Sequence, residues 1–173
     1  MITQVELKEL LDYDLLSGEF RYKKDIPCAK IKAGDLAGYK IRSHTEYYLC
    51  IHIKGHLYRL SHLAFLYVLN RLPTKLVDHR NLNKLDNSWF NLREATAMQN
   101  SHNYPKPSTN TSGIKGLYYR KDGIQVRVMY NQKTYTAFFS LKKYQSFDKA
   151  EEKAISYLLE LRNLLHKDFA NHG

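Results

Sequence analysis

The sequence predicts an α+β chain built in two parts, and three observations carry that expectation. Segments that alternate apolar and polar residues, the period of a strand, are interleaved with segments of helical period. A stretch rich in Pro, Ser, Thr and Asn, "HNYPKPSTNTSG" at 102–113, interrupts both patterns. Beyond it many short elements give way to three strands and one long helix.

Taken in order, "TQVELKELL" at 3–11 spaces Val5, Leu7, Leu10 and Leu11 as one helical face, with Thr3 as the cap. "SGEFRYKK" reads as a turn and a short strand, and "GDLAGYK" as a further turn. "EYYLCIHIKGHLYRLS" alternates on either side of Lys54-Gly55, the pattern of a β-hairpin. "HLAFLYVLNRL" is a buried helix closed by Pro73. "LVDH" is a short strand, "RNLNKLDNSWFN" a polar loop and "NLREA" a second short strand. Thr96 starts a helix, with Gln99 three residues on completing a capping box. After the linker, "IKGLYYRKDGIQVRVMYNQKTYTAFFS" reads as three strands that turn at 121–123 and 130–132. "SFDKAEEKAISYLLELRNLLHKDF" is an amphipathic helix opened by Ser146 or Asp148, its apolar stripe formed by Ala150, Ala154, Tyr157, Leu158, Leu161 and Leu165.

A chain of 173 residues with 43% hydrophobic content can bury a core and is too apolar to be disordered. It has no apolar run long enough for a membrane helix. The start, "MITQVELKEL", has early acids and no apolar core of a signal peptide. Cys28 and Cys50 lie apart with no CxxC pair, which favours free thiols over a disulfide or a zinc knuckle. Lys and Arg number 27 against 17 Asp and Glu, a net charge of +10, and there are 14 tyrosines. Cations beside aromatic rings suit polyanions such as nucleic acid. Residues 104–173 hold 12 of the basic residues against 6 acids, so the shorter part is the more basic per residue.

The chemistry is concentrated in "LVDHRNLNKLDNSWFNLREATAMQN", residues 76–100. Cutting a phosphodiester needs a base for the attacking water and a cation for the leaving 3′ oxygen. A neutral imidazole suits the first task near pH 7, and Mg²⁺ on a few hard oxygen ligands suits the second. Asp78 and His79 are strand neighbours, so their side chains point to opposite sides. Asn100, one turn into the next helix, is placed to supply a second oxygen. Asn91, at the end of the loop, is placed to orient the imidazole. Singly, each has a structural explanation: Asp78 as a turn cap, the asparagines as partners for loop backbone.

Together these residues resemble the HNH endonucleases, whose pattern runs Asp-His, about a dozen residues, Asn-Leu-Arg, then a helix with a final Asn or His. Upstream, "LLDYDLLSGEFRYK", "AGDLAG" and "YRLSHLAFLYVLNRLP" resemble the N-terminal portion of phage and homing-type members, so the likeness spans residues 1–103. The resemblance implies a ββα-metal fold, with His79 as general base, Asp78 and Asn100 as metal ligands and Asn91 holding His79. The metal would be Mg²⁺, with Mn²⁺ as the alternative. Arg80, Lys84 and Arg93 would be DNA-backbone contacts, Arg93 equally an ion-pair partner. His62 matches an upstream His that the family usually follows with Arg; here Leu63 follows.

Residues 112–173 resemble an AP2 DNA-binding domain, a three-stranded antiparallel sheet packed on one helix. The positions matching base and phosphate contacts are Lys115, Tyr118, Arg120, Arg127, Lys133 and Tyr135. Ile124 stands where that family usually has Trp, and Thr136-Ala137 where it has Leu-Gly. The expected organisation is therefore a nuclease domain at 1–103, a linker at 104–111 and an AP2-like domain at 112–173. The expected function is a homing-type, phage-encoded endonuclease acting on double-stranded DNA in the host cytoplasm, as monomer or dimer. A non-catalytic AP2-type regulator and an RNA-directed protein are the competing readings.

Overall fold

A computed structural model describes residues 1–103 and 109–170. The chain divides into two compact units, Met1–Thr96 and Ala97–Gly173. Of the linker expected at 104–111, residues 104–108 lie outside the described residues.

The first unit opens with α1 (Gln4–Leu10). Thr3 and Glu6 form a reciprocal capping box: the Thr3 hydroxyl accepts from the Glu6 N–H, and Glu6 accepts from the Thr3 N–H. The chain then passes directly into β1 (Leu11–Tyr13), which pairs antiparallel with β2 (Phe20–Tyr22). β1 escaped the sequence reading because Leu10 and Leu11 continue the helical period. A second sheet has the order β3 (Tyr39–Ser43), β4 (Glu46–Ile53), β5 (His56–Arg59). Lys54 and Gly55 both have positive φ in the β4–β5 turn, as a tight hairpin requires. β3 is an edge strand of half-exposed and exposed residues, and its alternation of Tyr39 and Ile41 with Lys40 and Arg42 is too short to announce a strand.

α2 (Leu60–Leu69) is the buried helix expected there. It ends at Asn70, which takes the left-handed conformation and donates its N–H to the Leu66 carbonyl; Pro73 lies beyond the stop and does not make it. Leu63 is fully buried, so where the family usually has Arg this chain has core. His62 is half-buried on the same helix. Phe20, Leu7, Leu11, Leu60 and Leu63 form the centre of this core, with Tyr13 stacked on Phe20 at 4.4 Å between ring centroids. β6 (Leu76–His79) and β7 (Leu92–Ala95) complete the unit as a two-stranded antiparallel ladder. Among the described residues both cysteines are free, Cys28 exposed and Cys50 buried.

The second unit begins with α3 (Ala97–His102) and continues into an antiparallel sheet of β8 (Leu117–Arg120), β9 (Gly123–Tyr130) and β10 (Lys133–Ser140) in that order. After the short α4 (Leu141–Tyr144), α5 (Phe147–His166) lies across one face of the sheet. Ser146 caps it by accepting from the Lys149 N–H. Ala150, Ala154 and Leu158 are fully buried against Leu117, Ile124 and Val126. Tyr157, expected in this stripe, is more than a third exposed; the stripe continues instead through Arg162, which is buried.

Candidate active site

The antiparallel register places Asp78 opposite Arg93 and His79 opposite Leu92. Cross-strand partners share a face and strand neighbours do not. Asp78 and Arg93 therefore lie on one side of the ladder and His79 on the other. Both site residues are out of water, Asp78 at 0% exposure and His79 at 1%. Arg93 grips one oxygen of the carboxylate, with Nε and Nη2 each 2.7 Å from Asp78 Oδ2. Of the two roles open to Arg93 in the sequence, the structure shows the ion pair; its side chain is only 9% exposed, which takes it away from a backbone contact.

Burial, set against a weaker contribution from Asn87, brings the His79 pKa down to about 4. The imidazole is therefore neutral at pH 7, the form that accepts a proton. His79 Nε2 lies 3.4 Å from Asn87 Oδ1. Because that oxygen can only accept, Nε2 carries the hydrogen and Nδ1 is the basic nitrogen.

The residue expected to hold the imidazole was Asn91, and the structure corrects this contact. Asn91 closes the 80–91 loop on itself. Its Oδ1 accepts from the Asn81 N–H at 2.9 Å, and its Nδ2 donates to the Asp86 carbonyl at 2.8 Å. Its carbonyl accepts from the Arg80 N–H. With both ends of the amide bound to loop backbone, it serves the loop and not the ring. Asn81 and Asn83 act likewise: each side chain accepts from a backbone N–H two residues on. Asn87 was missed because loop asparagines look alike in sequence. Its one distinguishing mark is burial, at 2% exposure, which single-sequence reading does not report.

The hairpin turn between β1 and β2 fixes where Asn87 sits. The Tyr13 hydroxyl donates to the Asn87 carbonyl at 2.7 Å, and the Trp89 N–H donates to the Leu15 carbonyl at 2.9 Å. Gly18, at φ +75, packs against the same loop; a Cβ there would lie 2.2 Å from Asn87 C and Ser88 N. Trp89 anchors the loop to α2 through an edge contact with Phe65. Arg80 is exposed on the loop, and Lys84 is half-buried and close enough to disfavour the charged imidazole. Asn100 lies half-buried on α3, in the second unit.

A family model for HNH endonucleases matches residues 58–102, which take in β6, the 80–91 loop, β7 and α3. Protein 3.8 of Escherichia phage T7 is 35% identical over 94 residues, 54% of this chain and 72% of that protein. The chain belongs to the same family as that phage protein, and its residues 58–102 are similar to the HNH endonucleases. No solved structure matches it. The HNH match begins at β5 and so includes the whole of α2, the helix on which Trp89 rests. An HNH domain implies a DNA substrate and a divalent metal ion. No helix among the described residues is long and apolar enough to cross a membrane.

In the second unit the pleat separates the expected DNA contacts. Ile124, Val126 and Val128 face α5, so Gln125, Arg127 and Met129 face away. Tyr118 pairs with Gln125 and Arg120 with Gly123, which puts Tyr118 and Arg120 on the same open face as Arg127. Arg120 also donates to Gln125 and lies over the Tyr118 ring. Tyr135 pairs with Val128 and Lys133 with Tyr130, so both belong to the helix-covered side. The sequence could not separate these two sets without the register. Lys115 precedes β8, half-buried, and its carbonyl accepts from Arg162.

Proposed function

We propose that this chain is a metal-dependent DNA endonuclease of the homing type that hydrolyses phosphodiester bonds. One observation supports it above the others: within the HNH segment, a buried, neutral imidazole stands back to back with a buried carboxylate on a four-residue strand. His79 takes a proton from water at Nδ1. The water oxygen bonds to phosphorus, the bond to the 3′ oxygen breaks, and that oxygen leaves with the electron pair.

A divalent cation supplies, when bound, the positive charge this leaving oxygen needs. Asp78 and Asn100 are the residues that would hold it. The donor chemistry fits: Asp78 is a hard, ionisable oxygen ligand already aimed by Arg93, and Mg²⁺ commonly takes one or two protein carboxylates and completes its shell with water and phosphate. Among the described residues no group of three or more His, Cys, Asp or Glu could hold a metal, so the cation would rely on such a sparse set. Mg²⁺ is the expected ion and Mn²⁺ the alternative. Asn87 positions the ring, Asn91 holds the loop, and Arg80 and Lys84 meet the DNA backbone.

The second unit is read as the AP2-like part that recognises duplex DNA. Tyr118, Arg120 and Arg127 supply the groove-facing set, and Lys115, Lys133 and Tyr135 contact phosphates from its margins. The T7 relative suits a phage protein working in the host cytoplasm. The test is plasmid nicking with Mg²⁺ or Mn²⁺, with EDTA, and with His79→Ala. Metal-dependent nicking that the substitution abolishes, with duplex binding retained, is the expected result. Binding without nicking by the wild type would make the chain a non-catalytic regulator. Preference for RNA over duplex at matched salt would assign it to RNA.

A further inference from the structure

The second unit encloses a cavity of about 350 Å³ lined by Lys115, Arg127, Tyr130, Arg162 and His166, with the Asn131–Gln132 turn at its side. No Asp or Glu lines it among the described residues. Arg162 is the residue that needs explaining. It sits one turn past Leu158 in the apolar stripe of α5, where an aliphatic residue would complete the pattern, yet it is 3% exposed. Its Nη2 donates to the Lys115 carbonyl. Its Nη1 is buried and has no hydrogen-bond partner among the described residues. A guanidinium stripped of water and left half-satisfied is costly unless an anion completes it.

Two further observations point the same way. The backbone is shaped around the guanidinium: Gly116 has φ +78, and a Cβ there would lie 2.7 Å from the Arg127 carbonyl oxygen and 3.5 Å from Arg162 Nη2. Lys115 shares the space, and burial, with Arg162 nearby, brings its pKa down to about 8. The cavity thus brings two cationic side chains, Arg162 and Lys115, to one space.

We propose that this cavity is a binding pocket for a phosphate group, held by the Arg162 guanidinium and the Lys115 ammonium. A tetrahedral oxyanion accepts from donors arriving in several directions, which suits side chains meeting from α5 and the segment before β8. The phosphate belongs either to the DNA backbone or to a free mononucleotide or inorganic phosphate. The DNA source rests on the function proposed above; the pocket itself does not.

Thermal melting of the full chain in inorganic phosphate, against chloride at matched ionic strength, reads the pocket directly. The wild type should gain a few degrees, and Arg162→Met and Lys115→Gln should each lose that gain. Lys115 is only half-buried, so its variant keeps the test decisive if Arg162→Met fails to fold. Duplex binding across a salt series reads the source. A salt slope reduced by about one in Lys115→Gln assigns the phosphate to DNA; an unchanged slope, with the phosphate gain lost, assigns it to a free phosphate. A wild type indifferent to phosphate, or variants that keep the full gain, would overturn the pocket. Stabilisation by phosphate without any nicking would sink the nuclease reading and leave the pocket standing; nicking with no phosphate effect would do the reverse.

Discussion

Asn87 and Asn91 are four positions apart on one loop and do different physical work. Asn87 meets the imidazole, whereas Asn91 binds two backbone groups that would otherwise lie unsatisfied. Their alanine variants should therefore fail differently. Asn91→Ala should cost about 2 kcal/mol of stability, measured by denaturant unfolding, through the orphaned Asn81 N–H and Asp86 carbonyl. Asn87→Ala should lower kcat by about 10-fold to 100-fold, with a smaller effect on substrate binding, because the ring loses the partner that fixes its tautomer. An Asn87→Ala enzyme with full kcat would remove that residue from the site. At this scale the sequence was partly legible. Asp78 and His79 stand out only through their joint spacing with the later asparagines, since each alone has a structural explanation. Asn87, Asn91 and Asn83 could not be ranked, because what separates them is burial and the direction of each amide.

The site loop depends on elements far from it in sequence. Gly18 leaves no room for a Cβ beside the loop backbone, and its positive φ disfavours any replacement. Gly18→Ala should destabilise the chain by about 3 kcal/mol and depress nicking, since the turn must retreat from Asn87 and Ser88. Retention of wild-type melting and activity would show that the hairpin does not brace the loop. β7 is held from the other side by Glu94, which takes a two-pronged bond from Arg71 and accepts from the Thr74 N–H at 2.6 Å. The Arg71 bonds, and then Thr74, hold the Glu94 pKa at about 2, below its ordinary 4.5. A depressed acid stabilises the fold fully above its unfolded pKa. That contribution is lost as pH falls from about 4.5 through 2. Because Arg71 is 44% exposed, solvent screening keeps it to about 1 kcal/mol. Glu94→Gln should flatten this part of the acid limb in a pH series of unfolding midpoints. Elements were legible wherever a periodic pattern ran long enough, as in α2, α5 and the β4–β5 and β9–β10 hairpins. The three-residue β1 and the short edge strand β3 were not, since runs this brief owe their strand form to tertiary pairing.

At the scale of the whole molecule, the chain shows two units of different construction. The first is a patchwork of small sheets around α1 and α2 that holds β6, β7 and their loop. The second is one sheet under one helix, with Tyr118, Arg120 and Arg127 on the open face and Arg127 also bordering the Arg162 cavity. The linker composition and the change of pattern suggest two parts, divided within 104–111. The boundary falls between Thr96 and Ala97, ahead of the composition break, because α3 joins the second unit. That makes Asn100 the demanding member of the proposed site: it must meet, at one cation, an aspartate that the first unit contributes. The most direct measurement is the anomalous signal of Mn²⁺ in crystals of His79→Ala bound to duplex DNA. The account predicts one Mn²⁺ within about 2.2 Å of oxygens from both Asp78 and Asn100, touching a backbone phosphate. A manganese ion bound elsewhere, or on Asp78 with Asn100 turned away, would contradict it.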